Sequence, residues 1–221
     1  MRRPGFLSLF IGFAVTIGCF ISYDQTPVQA DGEVNRVFLP LLTNGGSASS
    51  QPEATTEFPT LTQFVEEVRS GEDRISGVYV ADILANPIIQ QSNGDFSYIS
   101  NEEEIITQFM LTTPDVVGLL AHNHLAGKKF FEIKDGDWIY LINGKGEYKR
   151  YQVNEIRSYQ VISLPDSAIA YQDLQTGEIL DTAGLFQRFY MGAPHLTLQT
   201  CINRDGNPSW GRLFITAQPV D

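Results

Sequence analysis

Two cysteines in 221 residues are too few for a disulfide framework or a four-thiolate metal site. Three histidines, with no paired Cys/His spacing, leave no zinc motif either. Positive charge is also scarce, since 15 Lys and Arg face 26 Asp and Glu for a net charge of -11. Such a surface repels the phosphate backbone, so nucleic acid is not an expected partner. No internal repeat and no glycine-rich phosphate loop is present, which argues against a solenoid and a nucleotide-binding α/β fold. The apolar run from Phe6 to Ile21 is 16 residues long, shorter than the ~18 or more that argue for a membrane span.

That run nevertheless has the marks of export. Met1-Arg2-Arg3 is a basic start, and Val28-Gln29-Ala30 ends in a small residue suited to signal-peptide cleavage. Residues 1–30 are therefore expected to be a signal peptide or an uncleaved membrane anchor, with the short run favouring cleavage. Thr16-Ile17-Gly18-Cys19 has the outline of a lipoprotein box, but Thr16 stands where a branched aliphatic is expected. Cys19 would leave with the signal, making Cys201 the single thiol of the exported part. This is unusual where cysteine normally serves in disulfides. Residues 31–60 read as a flexible linker, rich in Gly, Ser, Thr and Pro after the apolar island Val37–Leu42. Residues 61–221 are left as one domain, long enough to bury a core.

Within it, Leu61, Phe64, Val65 and Val68 fall at helical spacing, with Thr60 or Thr62 as N-cap and Gly71 as stop. Strand signals then dominate, over residues 77–80, 87–90, 96–99, 116–121, 129–133, 137–142, 148–156 and 159–164. Asn101 is read as capping a brief helix through Met110. Lys134-Asp135-Gly136-Asp137 and Asn143-Gly144-Lys145-Gly146 favour hairpins. A long connection from Asp166 to Pro194 carries a second helix, Asp181–Tyr190. About eight short strands and few helices predict a mainly β protein, a closed or nearly closed eight-stranded β-barrel with a short N-terminal helix and a helix-bearing insertion before the cysteine strand.

The strand after that insertion holds the chemistry. In Leu196-Thr197-Leu198-Gln199-Thr200-Cys201-Ile202, Leu196, Leu198, Thr200 and Ile202 share one face, and His195, Thr197, Gln199 and Cys201 the other. In the next strand, Trp210–Ala217, Leu213, Ile215 and Ala217 point inward and Arg212 outward with Trp210 and Phe214. Pairing of the two strands is expected to place thiol and guanidinium in one shallow surface site.

Thr197-Leu198-Gln199-Thr200-Cys201, followed by Arg212 one strand later, resembles the signature of sortases, the cysteine transpeptidases of bacterial cell surfaces. Val117-Gly118-Leu119-Leu120-Ala121-His122 is similar to the family's histidine segment, although Ala121 stands where the family usually has glycine and a second histidine, His124, follows. The likeness runs from about Asp73 to Pro219 and implies the eight-stranded sortase barrel. It also implies Cys201 as nucleophile, His122 as acid and base, and Arg212 as support for the oxyanion and the substrate backbone. Thr200, Trp210, Phe214 and His124 are expected along the substrate groove. His195 lies six residues from Cys201 on the same face, about 20 Å away at ~3.3 Å per residue, and is excluded from catalysis.

The implied reaction cleaves a surface-protein sorting signal of Leu-Pro type through a thioacyl enzyme and passes it to an amine of cell wall or pilin. No cofactor and no metal is implied, and the location is the cell surface. Papain-like enzymes place cysteine before histidine, and the caspase Q-A-C-x-G is here Gln199-Thr200-Cys201-Ile202-Asn203, so neither pattern fits. A barrel of the same shape that binds surface peptides without catalysis is the alternative from another class. Leu39-Pro40-Leu41-Leu42-Thr43-Asn44-Gly45 loosely resembles such a signal and suggests a weak pseudosubstrate, against the plain reading of a spacer.

Overall fold

The computed structural model describes residues 57–92, 94–165 and 168–220. The expected export signal, nearly all of the linker and the Leu39–Gly45 segment lie outside the described residues. Helix α1, Leu61–Glu67, begins where Thr60 closes a reciprocal cap with Gln63: the Gln63 amide donates to the Thr60 hydroxyl, and the Thr60 amide to Gln63 Oε1 at 2.8 Å. Its buried Phe64 and Val65 form the expected apolar stripe.

Among the described residues ten strands follow: β1 (Ile75–Val80), β2 (Leu84–Gln90), β3 (Ile106–Phe109), β4 (Val116–Leu120), β5 (Trp138–Asn143), β6 (Tyr148–Ser163), β7 (Ile169–Asp173), β8 (Ile179–Asp181), β9 (His195–Arg204) and β10 (Asn207–Val220). Their order in the sheet is β10-β9-β4-β3-β2-β1-β5-β6-β7-β8, and β10 also pairs with β6. That last pairing closes eight strands into a barrel and leaves β7 and β8 as an extension of β6. Closure removes the sheet edges that a twisted sheet otherwise exposes. The chain achieves it with length, since β6 has 16 residues and β10 has 14, enough for β6 to pair in turn with β5, β10 and β7.

The barrel interior is aliphatic, with Val78, Leu84, Ile106, Leu119, Ile139, Leu196, Leu198 and Ile215 fully enclosed. Each such side chain contributes ~1.5–3 kcal/mol by leaving water. Outside the barrel, α2 (Thr182–Tyr190) lies in the insertion, with Asp181 Oδ1 capping the Gly184 amide at 2.7 Å. It forms a second core with Phe109, Leu120, Tyr159, Tyr171, Leu185, Phe189, Tyr190 and Phe214. Phe189 and Phe214 stack with centroids 4.1 Å apart, and Tyr159 meets both edge-on at 5.8 Å. Gly118 makes room for this layer, because a Cβ there would stand 3.0 Å from the Tyr190 ring.

Several local expectations are corrected. Residues 106–109, read as part of a helix, form β3, whose hydrogen bonds go to β2 on one side and β4 on the other. Residues 96–99 are not a strand but a loop held by Gln91, which donates to the carbonyls of Phe96 and Tyr98 at 3.0 and 2.9 Å. The expected strand at 129–133 is mostly a 3-10 helix, Ala126–Glu132, burying Ala126, Gly127 and Phe130. The Lys134–Asp137 turn therefore leads from that helix into β5, whereas Asn143–Gly146 makes the β5–β6 hairpin, with Asn143 Oδ1 accepting from Lys145 and Glu147 amides. The insertion also adds β7 and β8.

Candidate functional site

Three neighbouring strands build the site. β9 runs parallel to β4 with Leu120 level with Gln199, and antiparallel to β10 with Cys201 level with Arg212. The ladder continues past β4, since the Ala121 amide donates to Gln199 O at 3.2 Å and the Thr200 hydroxyl to Ala121 O at 2.8 Å. His122 follows directly, where the chain leaves β9 for the turn in which His122 O accepts from the Leu125 and Gly127 amides. Directly opposed residues on an antiparallel pair have Cβ atoms about 4.5–5.5 Å apart, which is the relation of Cys201 to Arg212. The register thus faces Cys201 with Arg212 across β9 and β10, and His122 stands two residues beyond the end of β4.

The surroundings are drier than expected. Cys201 is 2% exposed and Arg212 5%, so the shallow surface site expected for this pair is corrected to a buried one. Further back along the face of β9 that alternation marks as polar, α2 supplies the cover. There the Phe189 carbonyl accepts from the Thr197 hydroxyl at 2.7 Å and lies 3.0 Å from His195 Nε2, and the Tyr190 hydroxyl donates to Gln199 Oε1. His195 Nδ1 lies 2.8 Å from Ala193 O, so its ring is occupied in docking the helix. The polar half of the strand thus finds its partners in protein rather than in water.

Burial holds the Arg212 guanidinium below its ordinary range, with Tyr171 and Tyr190 acting in the opposite direction. Its Nη1 donates to the carbonyls of Gly211 at 2.9 Å and Ser209 at 3.3 Å. His122 is half-buried and carries a lowered pKa, first from burial and then from the neighbouring His124, while a hydrogen bond with the Ile99 backbone favours its charged form. His124 is exposed, its ring centroid 5.5 Å from that of His122.

Two residues expected along the groove sit elsewhere. Phe214 is fully buried and stacked on Phe189, so it is a core side chain beneath α2. Thr200 is 1% exposed, with its hydroxyl bonded to Ala121 O. Trp210 is half-buried, with the Arg204 guanidinium 4.7 Å from its ring centre. Tyr171, Tyr190 and the Ile99 backbone stand near the site without any signal in the sequence that could have singled them out, because the insertion and the β2–β3 loop bring them there.

Cys201 takes part in a disulfide, and the only other cysteine of the sequence, Cys19, lies outside the described residues. The expectation of a lone thiol is thereby corrected: the Cys201 sulfur is not free. Among the described residues no group of three or more His, Cys, Asp or Glu could hold a metal ion, and no helix is long and apolar enough to cross a membrane.

No protein-family model matches the chain, and no curated protein matches its sequence. Among solved structures it is similar to sortase A from Corynebacterium diphtheriae, with 17% identity, 68% of this chain and 62% of that chain covered, and a TM-score of 0.44. It is also similar to a Clostridium perfringens sortase C with the C-terminal cell wall sorting motif (20% identity, 68% and 72% covered, TM-score 0.43). A third is the Clostridium perfringens sortase D5 transpeptidase (18% identity, 73% and 87% covered, TM-score 0.43). The chain spans less than two thirds of the Corynebacterium protein's length. The solved structures to which it is similar here are sortases of classes A, C and D.

Proposed function

We propose that the protein, with Cys201 reduced, is a cysteine transpeptidase of sortase type, acting on exported proteins with a Leu-Pro-containing sorting signal. The observation that carries this reading is the register that faces Cys201 with Arg212 across β9 and β10, with His122 two residues beyond the end of β4, the strand on the other side of β9. A free thiol and a free imidazole share a thiolate–imidazolium state in under ~1% of molecules at neutral pH, and a guanidinium one strand away favours the thiolate. In the first step the Cys201 sulfur attacks the scissile carbonyl carbon, the C–N bond breaks, and His122 gives its proton to the departing amine. In the second an incoming amine attacks the thioester, its proton passes to His122, and the thiolate leaves. Arg212 supplies positive charge and N–H donors for the carbonyl oxygen. In this reading Trp210 and His124 flank the peptide.

The near-complete burial of Cys201 and its disulfide favour a second reading, a barrel that binds surface peptides without catalysis. Incubation of the reduced full chain with a Leu-Pro peptide library and an amine acceptor separates the two. The transpeptidase cleaves and transfers, and Cys201→Ala, still folded by circular dichroism, does neither. Equal turnover by that variant, or binding without turnover in the reduced wild type, would end the transpeptidase reading.

A further inference from the structure

The loop that carries His122 closes on itself within a few residues. His122 O accepts from the amides of both Leu125 and Gly127 at 3.0 Å, and Asn123 Nδ2 donates to Pro208 O at 3.3 Å, tying the loop to the β9–β10 side of the site. Inside this turn stands Gly127, in the 3-10 helix Ala126–Glu132, with no room for any side chain. A Cβ there would meet three atoms of the site itself: it would overlap Thr200 Oγ1 and stand 2.7 Å from His122 O and 2.8 Å from Ala121 O. Cβ atoms essentially never approach so near, and two of the three atoms are backbone that cannot rotate away. The Thr200 hydroxyl, for its part, is committed to Ala121 O at 2.8 Å.

We infer that Gly127 is a positioning residue for His122: its bare Cα, packed against the Thr200 hydroxyl and the carbonyls of Ala121 and His122, lets the loop after β4 close so that the imidazole stands beside Cys201. Thr200 is the second half of the same clamp, holding by a hydrogen bond the peptide that Gly127 holds by close packing. A methyl group in place of the Gly127 hydrogen must lift the Ala121–His122 peptide off β9 and loosen its bond to Thr200. A misplacement of about 1 Å is enough to cost ~10²-fold in rate. The inference rests on the transpeptidase reading for its effect on turnover, but the placement of His122 is measurable without turnover.

Gly127→Ala and Gly77→Ala are compared in the reduced full chain. Gly77 is a comparably crowded site, its Cβ position 3.0 Å from Phe64 and Val68 of the α1 segment, and it belongs to no part of the site. The readouts are melting temperature, the titration of the His122 imidazole by NMR, and kcat and KM on the cleaved peptide. Gly127→Ala is expected to raise the His122 midpoint toward the ordinary imidazole value, because the ring leaves its half-buried seat beside His124, and burial and His124 are the two larger causes of its lowering. It should also lower kcat by ~10²-fold with KM little changed. Gly77→Ala lowers the melting temperature and leaves the midpoint and kcat as in wild type. If Gly127→Ala does not fold, Thr200→Val, which removes the hydroxyl and keeps the shape, must move the midpoint in the same direction. A folded Gly127→Ala with the wild-type midpoint, an unmoved Thr200→Val, or the same shift in Gly77→Ala overturns the inference. A wild type without turnover whose midpoint still moves in Gly127→Ala ends the transpeptidase reading and leaves the positioning standing.

Discussion

Two layers of side chains flank β4, β9 and β10, and they differ in kind. The layer inside the barrel is aliphatic, Leu119, Leu196, Leu198 and Ile215 among others, and many combinations of branched side chains of similar volume would fill it. The layer outside is aromatic and polar: Phe189 stacks on Phe214, Tyr190 reaches Gln199, and the Phe189 carbonyl serves Thr197 and His195 together. Stacking and hydrogen bonds are directional, so this layer fixes α2 in one place. The inner layer makes the barrel stable, and the outer one pairs the polar face of β9 with protein.

The largest effect expected on this contrast is at the end of β4. His122→Ala should lower kcat/KM for peptide cleavage by ~10²–10⁴-fold, the usual weight of general acid and base catalysis, with His124→Ala far milder. Steady-state kinetics on the two purified variants decides it, and the reverse ranking reassigns the histidine. Next come paired truncations, one in each layer. Phe214→Ala should cost ~3–5 kcal/mol and Leu198→Ala ~2–5 kcal/mol in urea unfolding. Only Phe214→Ala should also change the cleavage rate of the folded enzyme, because it loosens α2 over the site. Equal catalytic effects would erase the distinction between the layers.

The smallest effect is in the pH dependence. Burial and His124 hold His122 below its ordinary value of 6.5, so the acidic limb of the cleavage profile should fall below pH 6.5, and His124→Ala should move it upward. The unfolded chain then binds more protons than the folded one below that value. The stability that neutral His122 contributes is therefore present above pH 6.5 and lost as pH falls toward the folded-state value, which unfolding of wild type against His122→Gln across that range would measure. An acidic limb above 6.5 would mean that another group sets it.

Part of the molecule was legible because its causes are local. Alternation over Leu196–Ile202 and Trp210–Ala217 depends only on the pleat, and both strands are where the period puts them. The Thr60 cap and the Asn143–Gly146 turn each close within a few residues. Segments 96–99, 101–110 and 129–133 misled for the converse reason. Glu102, Glu103 and Glu104 after Asn101 resemble a helix start, but β3 beyond them gains its hydrogen bonds from β2 and β4 through pairings that no local pattern announces. The aromatic pair Phe130-Phe131 suits a strand, yet Ala126, Gly127 and Phe130 turn inward together in a helical turn.

By itself, then, the sequence determined the barrel class, the cysteine strand and the outward faces of Cys201 and Arg212, since alternation and turn chemistry act over a few residues. It also marked the polar face of β9. Whether that face meets water was decided only by the tertiary structure, because a polar side chain is satisfied equally by solvent or by a protein partner, and nothing in its own strand distinguishes the two. α2 supplied the partners of His195, Thr197 and Gln199 from the insertion that precedes β9, and converted Phe214 from an expected groove residue into core.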